Sequence, residues 1–254
     1  RLGCGPSTRR IESGGGAAEG VAKVQGTSRW ACLGAAGLLL AAMGAGTTRL
    51  AAQSSMGGAF AWPPPGSIYH GVFPGGRSGE EDDITPADVR AYEQLAGKSA
   101  AWVYFSHNWG KGRAFPLATA AWIRERGSVP YVRLMLRSRF EQNRPERTFT
   151  LDRILAGEFD ADLRAWAREA RGFGTPLFAE FGTEANGRWF PWNAWWNGKE
   201  RQKGYGDPAT PDGPERFRDA YRRIVRIMRE EGAANVLWVF HVNNRDIPEA
   251  PWNR

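Results

Sequence analysis

The sequence predicts an α/β fold in which parallel strands alternate with helices, as in part of a (β/α)8 barrel. Three observations support this prediction. Strand-like and helix-like runs alternate from Ser67 onward. The strand-like runs are apolar almost throughout, which is typical of parallel strands covered on both faces. Polar and aromatic residues follow the ends of several of these runs, where a barrel builds its binding site.

Five segments rich in Val, Ile, Tyr, Phe or Trp are the predicted strands, at residues 68–74, 100–106, 129–136, 176–182 and 236–242. A closed barrel needs eight strands, so about five of eight βα units are expected, with the sequence truncated after the fifth strand. An open doubly wound sheet is the competing architecture. It usually carries a Gly-rich phosphate-binding turn after its first strand, and residues 74–77 lack that spacing.

Four segments between these strands are the predicted helices, at residues 86–96, 116–126, 160–171 and 215–231. In the first, Thr85 is the expected N-cap and Pro86 takes the first helical position. The third has an apolar stripe at i, i+3, i+4 and i+7, formed by Leu163, Trp166, Ala167 and Ala170. The fourth also has an apolar stripe, and the arginines on its other face are expected to be solvated.

Composition narrows the function classes. The chain has 254 residues, 42% of them hydrophobic and 12% aromatic, which fits neither disorder nor a membrane bundle. The net charge is +7, but the arginines are spread along the chain and no zinc-finger, RNP or P-loop pattern occurs, so nucleic-acid binding is not expected. Cys4 and Cys32 form no CxxC motif, and the histidines fall on different strands. Neither a metal site nor a cofactor is therefore expected.

Residues 1–52 are predicted to be a leader that contains a signal-peptide-like segment. Residues 31–46 are apolar, follow several basic residues and precede small residues. This run is shorter than the roughly 20 residues of a comfortable transmembrane span, although an uncleaved anchor is the alternative. Residues 53–66 are the expected linker and residues 67–254 the N-terminal part of the barrel. A secreted, periplasmic or cell-surface protein is expected, with no stable membrane insertion after signal cleavage.

The chemical centre is predicted in residues 178–197, where Glu184 follows the fourth strand. A group of aromatic residues comes next, comprising Trp189, Phe190, Trp192, Trp195 and Trp196. A carboxylic acid in apolar surroundings can protonate the leaving oxygen of a glycosidic bond, and exposed aromatic patches usually mark binding sites. Glu184 is therefore the predicted catalytic acid/base. The alternative is a buried hydrophobic loop that contains an incidental glutamate.

Other polar and aromatic residues are predicted to bind the substrate; they are His107, Trp109, Glu180, Asn186, Trp189, Trp192, His241 and Asn243. Glu180 shares a strand face with Glu184. Four strand residues span about 13 Å, whereas a retaining glycosidase needs its two carboxyls about 5–5.5 Å apart. Glu180 is therefore not the predicted second carboxylate. Residues 80–83 are expected to form a solvated acidic loop, and Arg133 to point into the barrel and hold carboxylates.

The segment from Glu184 to Trp189 resembles the fourth-strand motif of glycoside hydrolase family 26, in clan A of the retaining glycosidases. That motif has Glu, an apolar residue, Asn-Gly, any residue and then Trp, and the chain reads Glu-Ala-Asn-Gly-Arg-Trp. Residues 154–160 and 235–240 agree, and the resemblance spans residues 68–254. It implies a retaining endo-β-glycanase, most often a β-1,4-mannanase, with Glu184 as acid/base and Trp189 as a sugar-stacking platform.

Two positions depart from the family pattern. Thr183 stands where the family usually has His, and Glu180 stands where it usually has Arg. A β-1,3-xylan or a mixed-linkage glucan is therefore an alternative substrate, and a non-catalytic carbohydrate-binding protein on the same barrel is an alternative function. The resemblance places the nucleophile on a seventh strand, beyond Arg254, so this chain alone is expected to be inactive.

Overall fold

A computed structural model describes residues 63–253 of the chain, and in it five strands form one parallel sheet. The strands are β1 (Gly71–Val72), β2 (Trp102–Asn108), β3 (Val129–Met135), β4 (Leu177–Phe181) and β5 (Val236–Trp238). Each strand pairs with the next one along the chain. Sequential parallel strands joined by helical crossovers are the arrangement of consecutive barrel units, which confirms the predicted fold class. The predicted leader and residues 53–62 of the linker lie outside the described residues.

Five helices connect the strands: α1 (Pro86–Ala96), α2 (Leu117–Glu125), α3 (Leu151–Leu155), α4 (Asp160–Phe173) and α5 (Asp212–Glu230). The four predicted helices are present, with ends that differ by a few residues. Helix α3 was not predicted, because five residues are too short to display a helical period. Short 3₁₀ turns lie at Ala194–Trp196 and Pro251–Asn253. No helix among residues 63–253 is long and apolar enough to cross a membrane.

The two outer strands of the described sheet are shorter than predicted. β1 contains two residues rather than seven, and β5 ends at Trp238 rather than at residue 242. Each of them pairs on one side only within residues 63–253. The remaining residues of the predicted strands are correspondingly open, and Ile68 is 80% exposed and Phe240 63% exposed.

The hydrophobic core lies between the sheet and its helices. The apolar stripe of α4 is confirmed, since all four of its predicted residues are fully buried. On β2, Val103 and Phe105 are buried in this core, whereas Tyr104 and Ser106 alternate with them and face the other way. We call the face of the sheet opposite the helices the inner face. It carries polar side chains, and it is this face that supports the candidate site.

Thr85 caps α1 as predicted, and its removal provides a test of the local structure. Its hydroxyl accepts the Asp88 N–H at 3.3 Å, and its own N–H donates to the Asp88 carboxylate at 2.8 Å. Replacing Thr85 with Ala should lower the free energy of unfolding by about 1 kcal/mol, measured by urea denaturation. Gln94→Ala, at an exposed position of the same helix, is the control and should stay within about 0.5 kcal/mol of the parent. Equal losses in both variants would refute the capping contribution.

Candidate active site

Glu184 lies in a strained turn directly after β4. Gly182 has a φ of 76°, and a Cβ at this position would overlap the ring of Phe217. Glu184 itself has a φ of 49°, in the left-handed region that non-glycine residues rarely adopt. Such backbone strain costs of order 1–3 kcal/mol and is concentrated at functional sites, where the surrounding structure enforces it. The turn thus places Glu184 beyond the last residue of β4, at the carboxyl end of the sheet.

The spacing of the Glu184–Trp189 segment has a direct structural reason. The indole Nε1–H of Trp189 donates to Oε2 of Glu184 at 2.7 Å, and the Gly187 N–H donates to the Glu184 carbonyl at 2.7 Å. A Cβ on Gly187 would overlap the Trp189 indole, so the turn requires glycine there. Both the carboxyl and the indole remain partly exposed. The segment therefore presents an oriented carboxyl group beside an aromatic surface.

Asn186 anchors this turn to the segment that follows β5. Its amide nitrogen donates to the Asn243 carbonyl at 3.0 Å and to the Asp246 carboxylate at 2.9 Å, while its amide oxygen accepts the Asn243 N–H at 2.7 Å. Asn243 in turn donates its side-chain amide to the Arg245 carbonyl at 2.9 Å. Asn186 was predicted to bind substrate, but both ends of its amide are already engaged within the protein. It positions the loop, and its predicted contact with substrate stays a prediction.

Glu180 is the most enclosed carboxylate of the inner face, with an exposure of 0%. It accepts hydrogen bonds from the hydroxyls of Tyr104 at 3.0 Å and Tyr131 at 2.7 Å, and from the hydroxyl of Thr183. His241 Nδ1 lies 3.0 Å from its Oε2. These partners enclose Glu180 completely, and its predicted contact with substrate stays a prediction. Burial alone would raise the pKa of Glu180, but hydrogen bonds led by that of His241 hold it below its ordinary value.

Arg133 on β3 points to the inner face and holds carboxylates, as predicted. It forms ion pairs with Glu81 and with Glu180, whose Oε1 is 3.5 Å from Nε. The same Nε donates to the Thr183 hydroxyl at 3.1 Å. Burial lowers the pKa of Arg133 to about 10, and the Glu180 carboxylate acts in the opposite direction. The guanidinium stays charged at neutral pH and joins the loop after β1 to the end of β4.

The acidic run at residues 80–83 is not the solvated loop that was expected. Three of its carboxylates pair with basic side chains near the ends of β2 and β3, in the pairs Glu80–Arg137, Glu81–Arg133 and Asp82–Lys111. The fourth, Asp83, accepts the N–H groups of Arg77 and Ser78 at 2.9 and 2.8 Å. The run therefore packs against basic side chains on and after β2 and β3. It was expected to be solvated because these basic side chains lie far from it in the sequence.

His241 is a partly exposed member of the inner-face network, with 34% of its side chain open to solvent. Its carbonyl accepts the N–H of Ala185 at 3.1 Å, which fixes it to the residue next to Glu184. The hydrogen bond to Glu180 raises the pKa of His241 above its ordinary value, although partial burial acts against it. His241 thus lies beside the turn that carries Glu184, and its predicted contact with substrate stays a prediction.

Three other predicted ligand residues are packed into the core. His107 accepts the Trp166 indole N–H at 3.3 Å, on the helix side of the sheet, and burial lowers its pKa to about 4. Trp109 is 2% exposed and meets the Phe149 ring edge-on at 5.7 Å between centroids. Trp192 is 2% exposed and donates to the Thr183 carbonyl at 2.8 Å. All three are buried against the core, and their contact with a substrate stays a prediction.

The two-residue period of a strand explains why His107 faces the helices, and it identifies inner-face residues that were not predicted. His107 shares the helix-facing side of β2 with Phe105, so the opposite parity faces the site. That parity gives Ser106 and Asn108 on β2, together with Tyr104 and, on β3, Tyr131. The signal that could have found them is the repeat of polar side chains at every second position of otherwise apolar strands.

The arrangement supports proton transfer by one accessible carboxyl group. Glu184 is partly exposed and hydrogen-bonded by an indole, while the nearby Glu180 is enclosed by donors. Among residues 63–253, no group of three or more His, Cys, Asp or Glu side chains could hold a metal ion.

Comparisons with known proteins return carbohydrate-active enzymes. No family model matches the chain. Endoglucanase H of Acetivibrio thermocellus is 29% identical over 156 residues, which cover 61% of this chain and 15% of that protein. The YdhT protein of Bacillus subtilis has a TM-score of 0.49 and 16% identity, over 71% of this chain and 58% of that one. Bacillus subtilis mannanase man26 has a TM-score of 0.49 and 18% identity, over 70% and 57%.

A further solved structure is the GH26-CBM35 β-(1,4)-mannanase of Podospora anserina, with a TM-score of 0.43 and 17% identity, over 61% of this chain and 38% of that one. The chain thus spans 15% of the curated relative and little more than half of the Bacillus subtilis proteins. Several of the matched structures are named as mannanases, and two of these names include GH26. The chain is similar in sequence to an endoglucanase over 61% of its length, and its sheet consists of five consecutive parallel strands, as in part of a barrel.

Proposed function

We propose that this chain is the part of a secreted, retaining endo-β-glycanase that carries the acid/base, Glu184. The observation that supports this most strongly is the strained turn after β4, which presents the Glu184 carboxyl beside the Trp189 indole. A general acid must be oriented towards the oxygen that it protonates. Trp189 donates to Oε2 of Glu184, which leaves Oε1 to deliver the proton.

The proposed reaction proceeds in two steps that use the same carboxyl group. Glu184 first gives its proton to the glycosidic oxygen as the bond to the anomeric carbon breaks and a second carboxylate attacks that carbon. Glu184, now ionised, then takes a proton from the water that displaces the enzyme carboxylate, which restores both groups. The partly exposed Trp189 ring offers a flat apolar surface on which a sugar can pack.

We propose that the second carboxylate comes from outside the described residues. Within residues 63–253, Glu180 is the carboxylate that β4 contributes. It is fully buried and already bound by several donors. The purified 254-residue chain should therefore bind a β-glycan oligosaccharide without hydrolysing it. A gene product extended to the length of the matched mannanases should hydrolyse it. Turnover by the 254-residue chain alone would overturn this proposal.

The proposed substrate is a β-linked polysaccharide, with β-1,4-mannan first. The motif from Glu184 to Trp189 supports mannan, whereas Thr183 and Glu180 depart from the mannanase pattern and the curated relative is named an endoglucanase. A hydrolysis screen over mannan, mixed-linkage β-glucan and β-1,3-xylan, with product sizes measured over time, tests both the sugar and the internal mode of cleavage. Release of single sugars from the start would contradict the endo mode.

A carbohydrate-binding protein without catalysis is the second candidate, favoured by the fact that Glu180 replaces the usual arginine of the family motif. This candidate predicts oligosaccharide binding by the extended gene product without any turnover. Secretion is a separate part of the proposal, based on the apolar run at residues 31–46. Sequencing the N-terminus of protein recovered from the medium tests it, and a start near residue 53 is expected.

Replacing Trp189 with Phe tests the orientation of Glu184. The ring surface is largely kept but the donor to Oε2 is lost, so kcat of the extended gene product should fall by about tenfold or more, with a smaller change in KM. Trp122→Phe, on α2 and packed against the core away from this turn, is the matched control. An unchanged kcat for Trp189→Phe would show that the indole does not orient the acid.

A further inference from the structure

We propose that Glu180 and His241 form a positioning pair, in which the buried carboxylate holds His241 as an imidazolium that donates to a sugar hydroxyl beside Glu184. This inference rests on the proposed function, because it assigns a ligand contact within the same site. It goes beyond that function by giving a specific role to a buried glutamate and to a histidine that follows β5.

The first support is the position of His241. Val239 donates its N–H to the Ala179 carbonyl at 2.9 Å, so the pairing with β4 continues past the end of β5. The His241 carbonyl then accepts the Ala185 N–H at 3.1 Å. These two bonds fix the imidazole between Glu180, which lies beneath it on β4, and the turn that carries Glu184. The side chain is 34% exposed, whereas that of Glu180 is 0% exposed. His241 therefore connects the buried Glu180 carboxylate to solvent.

The second support is the charge of the network. Arg133 forms ion pairs with two carboxylates, those of Glu81 and Glu180. Glu81 is partly exposed, whereas Glu180 is fully enclosed and shares the Arg133 guanidinium with it. An imidazolium at His241 places a second positive charge next to Glu180, which reduces the cost of burying that carboxylate. The neutral imidazole does not.

The third support is the set of groups that face the pair. Tyr104 and Tyr131 donate their hydroxyls to Glu180, and burial, with the Glu180 charge second, raises the pKa of both phenols, so they remain neutral donors. Thr183 is a further neutral donor to Glu180. Glu184 favours the charged form of His241 and Arg133 opposes it. Burial, and then the Glu180 charge, also raise the pKa of Tyr221 on α5. Every neutral partner thus stabilises the Glu180 carboxylate, and that carboxylate stabilises the imidazolium.

The geometry assigns the two imidazole nitrogens different roles. Nδ1 lies 3.0 Å from Oε2 of Glu180 and is engaged within the protein. Nε2 is the nitrogen left for a ligand, and in the imidazolium it is a donor. A sugar hydroxyl accepts that hydrogen bond well, and a charged donor strengthens it. Ligand affinity should therefore decline as pH rises through the pKa of His241.

The first experiment measures the titration of His241 by NMR in the ¹⁵N-labelled 254-residue chain. The chain has three histidines, and His241→Gln assigns the signal. The expected result is a pKa of His241 above the ordinary value of about 6.5, which falls in Glu180→Gln. The titration of His107, which is buried against Trp166, is the internal control and should not change. A pKa of His241 that is the same in both proteins overturns the proposal.

The second experiment measures binding of a manno-oligosaccharide and of a mixed-linkage gluco-oligosaccharide as a function of pH. In the parent chain, affinity for the better ligand should decrease as His241 loses its proton. In His241→Gln it should be about tenfold weaker at low pH and independent of pH over the same range. Affinity in His241→Gln that follows the parental pH profile overturns the proposal. Because His241 is partly exposed, this variant tests the pair even if Glu180→Gln does not fold.

The two proposals fail in different ways. The NMR titration needs no turnover, so it reports on the pair even in a protein that hydrolyses nothing. Hydrolysis by the extended gene product with an unperturbed His241 would sink the pair and leave the hydrolase proposal standing. A raised pKa of His241, together with no hydrolysis by the extended gene product, would refute the hydrolase proposal and leave the pair standing.

Discussion

Replacing Glu184 with Gln should lower kcat for β-glycan hydrolysis by about 10²–10⁴-fold in the extended gene product. The amide keeps the size of the side chain and can still contact Trp189, but it has no proton to give to a leaving sugar. Ground-state binding does not depend on that proton, so the affinity for oligosaccharides should change little.

The matched control for this prediction is Glu200→Gln. Glu200 is an exposed carboxylate in the same β4–α5 connection and has no assigned part in the proposed reaction. Its kcat should stay close to that of the parent enzyme. If Glu184→Gln retained full activity, or if both variants lost activity equally, Glu184 would not be the acid.

Replacing Glu180 with Ala should reduce the free energy of unfolding by about 3–5 kcal/mol, measured by urea denaturation of the 254-residue chain. The change leaves the hydroxyls of Tyr104 and Tyr131 without their acceptor and removes one of the two carboxylates that compensate Arg133. Unsatisfied buried donors and an undercompensated buried cation are among the few mechanisms that give such large losses.

Glu200→Ala is the control for this loss and should change the free energy of unfolding by less than about 0.5 kcal/mol. The double variant Arg133→Met with Glu180→Met should recover part of the stability lost by either single replacement, because the two charges are removed together. A loss below about 1 kcal/mol for Glu180→Ala would contradict the network described for the inner face.

The stability difference between the parent chain and Glu180→Ala should depend on pH in a defined way. The pKa of Glu180 is lowered in the folded state, so its contribution is present above the unfolded value and is lost as pH falls through the folded pKa. The pKa of His241 is raised, so its contribution is present below the unfolded value and is lost as pH rises through the folded pKa. The stability difference should therefore be largest at a pH above the unfolded-state pKa of Glu180 and below the unfolded-state pKa of His241.

Local patterns were sufficient to predict the parts of the fold that depend on neighbouring residues. Thr85 caps α1 because its hydroxyl meets an N–H only three residues away. The apolar stripe of α4 was predicted because a helix repeats its core positions within one element. The motif from Glu184 to Trp189 is legible because two hydrogen bonds of the turn, Trp189 to Glu184 and Gly187 to Glu184, lie within six residues. The bonds that anchor Asn186 to the segment after β5 are long-range and were not predicted.

The inner-face network could not be predicted in the same way, because its partners are distant in the chain. Tyr104 and Glu180 are separated by 76 positions, and Glu180 and His241 by 61. His107 and Trp109 were assigned to the site because they end a strand, whereas the polar side chains of Ser106 and Asn108 indicate that the opposite parity faces the site. Arg133 was the exception, since a charged residue within an apolar strand requires a buried partner.

The most direct test of Glu184 as the acid uses two substrates that differ only in their leaving group. A natural oligosaccharide leaves as a sugar alkoxide that needs a proton, whereas a dinitrophenyl glycoside of the same sugar leaves as a stable phenolate that does not. We expect Glu184→Gln to lose most of its activity on the oligosaccharide but still to release dinitrophenolate in a rapid first turnover. An equal loss of first-turnover rate on both substrates would contradict it.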